Sequence, residues 1–492
     1  MDAILATLVE SWPVVAGGLT VGLSLLAAGH VILYKRDSRA AVAWVGLIWL
    51  APVVGAGLYL LLGVNRIKRR AVARRPLRPG SPPPLPSPPS PTVEALPSGG
   101  DLLPPAAAHV EPLVRMVDRL TGRRLLGGNA VTPLANGDEA YPAMVAAIDS
   151  AQGTVALSTY IFDNDAAGRL FLDALERAVR RGVTVRVLID AVGARYSWPP
   201  IIHALRRRAV PVAAFSPTVL PWRMAYFNLR NHRKILVVDG RVGFTGGMNI
   251  RAGHLLERRP SPRHPVRDLH FRIEGPEVAH LVRTFAEDWA FTRGESLAGE
   301  AWFPPLSPAG TVAARCLPDG PDEDTDPARF TRLGALACAR ESVRIVTPYF
   351  LPDSALITAL AVAAMRGVRV EIALPEHNNL ALVHWAATAQ LWQVLERGCR
   401  VYYNPGPFDH TKLVLVDGVW ALIGSSNWDP RSLRLNFELD VECYDAALVD
   451  RLDRLVETKL ARAQEVTLAD VNGRSLPVKL RDGVARLAAP YL

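Results

Sequence analysis

Two long uncharged runs open the chain, and short apolar stretches alternating with amphipathic segments fill the rest. Ser11–Tyr34 is 24 residues without Asp, Glu, Lys or Arg, and Ala40–Asn65 is a second such run of 26. An apolar helix needs about 20 residues to cross a bilayer. Both runs are long enough, although Gly17, Gly18, Gly22, His30 and Pro52 interrupt them. Only Lys35–Arg39 separates the two. The pattern therefore predicts a two-helix transmembrane hairpin over residues 1–65, with helices at about 11–34 and 40–65 and both ends on one side. A cleaved signal peptide fits less well, because Asp2 and Glu10 stand where a basic segment belongs.

From about residue 109 the period changes. Thr154–Phe162 reads as a strand and its exit, Leu170, Leu172, Leu175 and Ala178 as a helix face, and Arg181–Asp190 as a second strand. The same order returns at Ser342–Phe350, at Leu360 and Ala364, and at Arg366–Pro375, at offsets of 188 and 185 residues. Alternating β and α elements predict an α/β fold with helices covering a sheet. Their return predicts duplication of a whole domain, 109–300 followed by 301–492.

The sharpest repeat is polar. His232-Arg-Lys234 followed by Asp239 matches His410-Thr-Lys412 followed by Asp417, each an H-x-K-x4-D motif. Gly246-Gly-Met-Asn249 matches Gly424-Ser-Ser-Asn427, and all five positions keep an offset of 178. Residues at i and i+2 share one face of a strand. Each His therefore points the same way as its Lys, and the duplication can bring two His and two Lys into one site. Residues 101–492 hold only four Lys, and two of them fill these motifs.

Charge narrows the function. The chain has 56 Lys+Arg against 47 Asp+Glu. Residues 1–100 hold ten basic and four acidic residues, while 101–492 hold 46 and 43. Nucleic-acid binding would place the basic excess on the working domain; here it follows the apolar runs, at Arg66, Lys68, Arg69, Arg70, Arg74, Arg75 and Arg78. Such a cluster marks a cytoplasmic flank and suits anionic headgroups. Residues 76–105 contain 12 Pro, so 66–108 reads as a basic, extended tether. Four widely spaced Cys without a C-x-x-C pair exclude a disulfide scaffold and a cysteine zinc site.

The paired H-x-K-x4-D motifs with their trailing G-x-x-N resemble the phospholipase D superfamily. Ser38–Trp44, Pro52, Gly55, Leu58-Tyr59 and Gly63 resemble the membrane region of its bacterial cardiolipin synthase branch, as do Thr347–Phe350, Gly424–Ser432, Asn436 and Glu438. The resemblance implies two tandem phospholipase D-like α/β/α sandwich domains related by a pseudo-twofold duplication, behind the transmembrane hairpin. It implies a bacterial inner (plasma) membrane protein, multi-pass, with its catalytic domains in the cytoplasm. Its partners would be phosphatidylglycerol and anionic membrane lipid, with no nucleic acid, no cofactor and no metal. The implied reaction moves a phosphatidyl group from one phosphatidylglycerol to another and releases glycerol. Hydrolysis to phosphatidic acid would use the same residues; a superfamily nuclease and a non-catalytic membrane scaffold fit the chain less well.

The chemistry follows from residue types. One imidazole attacks phosphorus and the other handles the proton of the alcohol. The resemblance implies His232 as nucleophile and His410 as acid/base, while the symmetry of the motifs does not order them. Lys234 and Lys412 hold the non-bridging oxygens, and Asn249 and Asn427 donate to them. Asp268 and Glu438, at similar places after their motifs, are expected to fix the histidine tautomers. Asp239 and Asp417 complete the catalytic motifs, but each precedes Gly, a hairpin signal.

Overall fold

The computed structural model describes residues 2–35, 38–63, 102–215, 229–257, 264–321 and 326–489. The basic cluster and most of the tether lie outside these residues. The chain divides into an N-terminal helical unit and a larger unit that holds every described residue from Leu102 on.

In the N-terminal unit one helix runs from Asp2 to Tyr34, and so begins earlier than the apolar pattern predicts. Its Trp12–Tyr34 stretch is, among the described residues, the one unbroken helix long and apolar enough to span a bilayer. The second run is not a single helix. Ser38–Leu50 ends at Ala51, whose backbone leaves the helical region, and Pro52 starts a new helix to Leu58 that continues as a π-turn over Tyr59–Gly63. Proline lacks the N–H a continuous helix requires and clashes with the preceding turn, which accounts for the break. Ala27, Val31, Ile48, Ala56 and Tyr59 bury one another between the segments. The Tyr59 hydroxyl lies 2.7 Å from His30 Nδ1. A Cβ at Gly55 would run into the Leu47 carbonyl, so the kink requires glycine there.

The larger unit is built on one long sheet and a separate two-stranded one. Its first half supplies β1 (Leu126–Ala135), β2 (Thr154–Thr159), β3 (Thr184–Asp190), β4 (Val212–Phe215), β5 (Arg230–Asn231), β6 (Ile235–Val238), β7 (Val242–Gly246), β8 (Val266–Arg267) and β9 (Leu269–Glu274). The second supplies β10 (Val312–Asp319), β11 (Ser342–Val346), β12 (Arg369–Pro375), β13 (Arg400–Asn404), β14 (Phe408–Asp409), β15 (Leu413–Val416), β16 (Trp420–Gly424), β17 (Asn436–Tyr444) and β18 (Gln464–Val466). The order is β18-β13-β12-β11-β15-β16-β17-β10-β1-β9-β7-β6-β2-β3-β4. Outward from the central β10–β1 pair, 10-17-16-15-11-12-13 mirrors 1-9-7-6-2-3-4. The duplicated sequence has become a pseudo-twofold sheet.

Helices cover both faces of each half. In the first, Asn136–Ser150, Ala166–Arg180 and Ile201–Arg207 share a core with Leu236, Val238 and Phe244. Gly243, whose pleat position points opposite to Phe244, lies under Leu281 of the helix Val278–Arg293. This is the α/β/α sandwich expected.

The boundary between tether and domains differs from the expectation. Ala107 and Val110, then Leu113, Val114 and Val117 of the helix Glu111–Thr121, are buried in the core of the second half. The buried Arg315 of β10 explains the docking. Its guanidinium pairs with Glu442 of β17 and with Asp118 of that helix, and donates to the Val114 carbonyl. An unpaired arginine there would be costly to bury, so the helix is tied to the strand that carries it.

Candidate active site

Two short crossings between the halves create the site. β5 pairs in parallel with Asn436–Phe437 at the start of β17, and β14 pairs in parallel with β8. The backbone N–H groups of His232 and His410 continue these crossings, donating to the Phe437 carbonyl at 2.9 Å and the Arg267 carbonyl at 2.8 Å. Each histidine thus stands beside the acid of the other half. His232 Nδ1 lies 2.9 Å from Glu438 Oε2, and His410 Nδ1 lies 2.8 Å from Asp268 Oδ2. Sequence reasoning foresaw both carboxylates but not the exchange of partners. With Nδ1–H donating to a carboxylate, each ring directs Nε2 away from it.

The residues beside the histidines are braced. Asn231 donates to Asp288 at 3.0 Å, and Asp288 also pairs with Arg233 at 2.6 Å. At the equivalent place Asp409 pairs with Lys459, a third of the four lysines beyond residue 100. Lys234 and Lys412 end the short irregular segments that carry the histidines, immediately before β6 and β15, so the motifs do not begin within a strand as the i, i+2 reading expected. Each Nζ donates to the carbonyl of its own histidine at 2.6 Å. The Tyr160 ring stands 5.2 Å from the His232 ring and 5.7 Å from Lys234 Nζ. Tyr349 stands 6.4 Å from His410.

Burial sets the protonation states. It lowers Lys234 to about 7 and Lys412 to about 8, against the partial support of Glu438 and Asp268. It lowers both histidines too, His410 well below its ordinary value with the two lysines adding to the effect. An anion placed among these groups would favour their protonated forms and so offset the effect of burial.

The two halves differ at the acids. Burial would raise the Glu438 carboxyl, but His232, Lys234 and Ser425 hold it down to about 2. Besides His232 it accepts from Ser425 Oγ at 2.6 Å and Asn436 Nδ2 at 3.0 Å. Burial prevails at Asp268, which is raised; it accepts from His410 and from the Leu269 N–H at 2.8 Å. A Cβ at Gly247, the counterpart of Ser425, would stand 2.5 Å from Asp268 Oδ1. Ser425 was the functional residue missed. Its signal was the mismatch of Gly246-Gly-Met-Asn with Gly424-Ser-Ser-Asn.

The asparagines also diverge. Asn249 Oδ1 accepts the Ile161 N–H at 3.1 Å, which fixes the orientation of its amide. The Asn427 amide donates to Ser432 Oγ at 3.2 Å, and its Oδ1 is buried without a partner among the described residues.

Asp239 and Asp417 are not in the site. Six residues, four of them in a strand, separate each from its histidine, roughly 20 Å of chain. Both have φ of +51°, and each caps a neighbouring turn. Asp239 accepts the N–H groups of Gln152, Gly153 and Thr154 at 2.7–2.9 Å. Asp417 accepts those of Arg340, Glu341 and Ser342 at 2.8 Å, and His109 Nε2 lies 2.8 Å from the Oδ2 that accepts from Arg340. They take the turn role that the Asp–Gly pairs suggest, in place of the catalytic one expected from the motif. Asp417→Ala is expected to lower the unfolding free energy by about 1–3 kcal/mol and to leave kcat of the folded protein largely intact. Thermal unfolding alongside a rate assay checks this; a kcat loss as deep as that of a histidine variant contradicts it.

A family described as "Cardiolipin synthase, PLD-like domain" matches residues 144–289 and 333–460, one match per half. The chain belongs to the phospholipase D-like cardiolipin synthase family. A second family, described as "Phospholipase_D-nuclease N-terminal", matches residues 22–63. A protein named cardiolipin synthase from Geobacillus kaustophilus is 31% identical over 471 residues, 94% of this chain and 91% of its own. One named cardiolipin synthase A from Pseudomonas putida is 32% identical, covering 96% and 97%. The crystal structure of a phosphatidylserine synthase from Haemophilus influenzae superposes with a TM-score of 0.60 over 77% of this chain and all of its own. At 16% identity it shows the fold alone. Family membership makes the protein a phosphatidyltransferase associated with membranes.

Proposed function

We propose that the protein joins two phosphatidylglycerol molecules through a phosphohistidine, with His232 as nucleophile. The neutral His232 Nε2 attacks phosphorus, and the bond from phosphorus to the departing glycerol oxygen breaks. His410, protonated in the complex, gives that oxygen its proton. The second phosphatidylglycerol then loses its hydroxyl proton to His410 and attacks phosphorus, breaking the P–N bond. Cardiolipin leaves and His410 is protonated for the next cycle. Lys234 and Lys412 face the charge on the non-bridging oxygens, and the Asn249 amide adds a donor.

The inequality of the two acids carries the assignment. A phosphorylated imidazole is cationic, and it is best stabilised beside the carboxylate most firmly ionised. Glu438, with three donors and held down to about 2, meets that need beside His232. The remaining expectations become part of the same proposal: a multi-pass N-terminal unit in a bacterial plasma membrane, and catalytic halves in the cytoplasm beside the basic segment at Arg66–Arg78.

The test is a product assay. Purified protein in phosphatidylglycerol vesicles is expected to form cardiolipin and glycerol in equal amounts. Phosphatidic acid in place of cardiolipin would make water the acceptor and overturn the transfer between lipids.

A further inference from the structure

The last helix of the chain is amphipathic with its polarity reversed. It runs from Leu476 to Leu487. At about 100° per residue, Leu476, Leu480, Val484 and Leu487 fall on one stripe, and Asp482 and Ala485 on the opposite side. The stripe faces outward, its four side chains 60 to 75% exposed, while Asp482 and Ala485 are buried. Single exposed leucines are ordinary on a protein surface; four aligned on one helix form a face with a purpose. The buried carboxylate is neutralised by Arg474 and by Arg481.

Basic residues flank the stripe. On the wheel, Lys479 and Arg486 stand along one edge and Arg481 along the other, with the Arg481 guanidinium 4.4 Å over the Trp385 ring. Trp385 belongs to the helix Ala381–Thr388, which shares a small core with the last helix through Val383, Ala386, Ala485 and Ala489. Leu380 and Leu382, at the start of that helix, are also exposed. The residue before them, Asn379, accepts the Tyr349 hydroxyl at 2.9 Å, and the Tyr349 ring stands beside His410. The apolar surface therefore continues toward the rim of the site.

We infer that the helix Leu476–Leu487 lies in the interface of an anionic bilayer, its leucine stripe among the acyl chains and Lys479 and Arg486 at the headgroups. An apolar stripe edged by cations is what an interfacial helix presents. A second copy of this chain fits worse as the occupant, because pairing two such stripes about a twofold axis gathers like charges at their edges. The inference rests on the reading that the substrate is a membrane phospholipid, and it adds the surface that brings the site to it.

Full-length protein carrying Cys338→Ser is labelled with an environment-sensitive dye at Leu480→Cys; Cys316, Cys399 and Cys443 are buried and do not compete. A reference label goes at Gln152→Cys, on the turn capped by Asp239, at the far end of the strands from the histidines. In vesicles containing phosphatidylglycerol, doxyl-labelled lipid is expected to quench the dye at position 480 and leave that at 152 untouched. Equal behaviour of the two labels overturns the inference. So does shielding of the 480 label in detergent that rises with protein concentration, which would identify a second copy as the occupant. Quenching needs no turnover, so its result is independent of whether the proposed reaction is right. Leu480→Asp with Leu487→Asp is expected to lower the rate on long-chain vesicles by about tenfold or more, while the rate on a short-chain, monomeric phosphatidylglycerol is retained. Equal loss on both substrates contradicts a docking role.

Discussion

Alanine at His232 or at His410 is expected to reduce phosphatidyl transfer by about four orders of magnitude or more, and the double variant to be no slower than either single one. The expectation follows from the way the site is assembled. The two imidazoles perform successive halves of one exchange, so removing one leaves the other without a task. Each side chain bonds a carboxylate of the other half, and on its removal Glu438 keeps the Ser425 and Asn436 donors and Asp268 keeps the Leu269 N–H. Unfolding temperatures of the variants should therefore stay near that of the wild type while the rate collapses. Additive losses in the double variant would show that the histidines act independently, against the mechanism.

The second large effect belongs to the lysines. Lys234→Met or Lys412→Met is expected to cost about 100- to 1,000-fold in rate, the scale set by removing one donor from a preorganised anion site. Arginine should not rescue either position, since a planar guanidinium cannot replace a buried ammonium. Each substitution removes one of the two cations that face Glu438 and Asp268 and leaves the other in place. The same groups predict the pH dependence. Their values in the free protein, about 7 for Lys234 and about 8 for Lys412, mean that both ammonium groups lose their charge as pH rises through that range. kcat/KM, which reports the free protein, is expected to fall above about pH 8, with kcat falling less because a bound phosphodiester holds the protons on. A kcat/KM that stays flat to pH 10 would contradict the role of the lysines.

The duplication was legible because it is written in polar residues. His232, Lys234, Asn249 and their partners 178 residues later stand at matching places just before and just after paired strands, and the sheet order mirrors itself. Pairing across the halves was not legible. It depends on β5 and β14, two residues each, too short to leave a hydrophobic period. The acids were found by their place after the motifs, yet which histidine each serves is a property of the crossing. The docking of Glu111–Thr121 on the second half escaped for a similar reason: its apolar face announces a helix without naming the surface that receives it. Pro52 was visible as an interruption, and the break at Ala51 is its consequence.

The central claim, a phosphatidyl group held on His232, can be tested by trapping it. The His410→Ala variant is mixed with phosphatidyl-p-nitrophenol, whose leaving group departs without a proton. The account predicts a burst of nitrophenol stoichiometric with protein and an acid-labile, alkali-stable phosphatidyl adduct on the peptide containing His232. Absence of that adduct, or its appearance on His410 in the His232→Ala variant, would contradict the account.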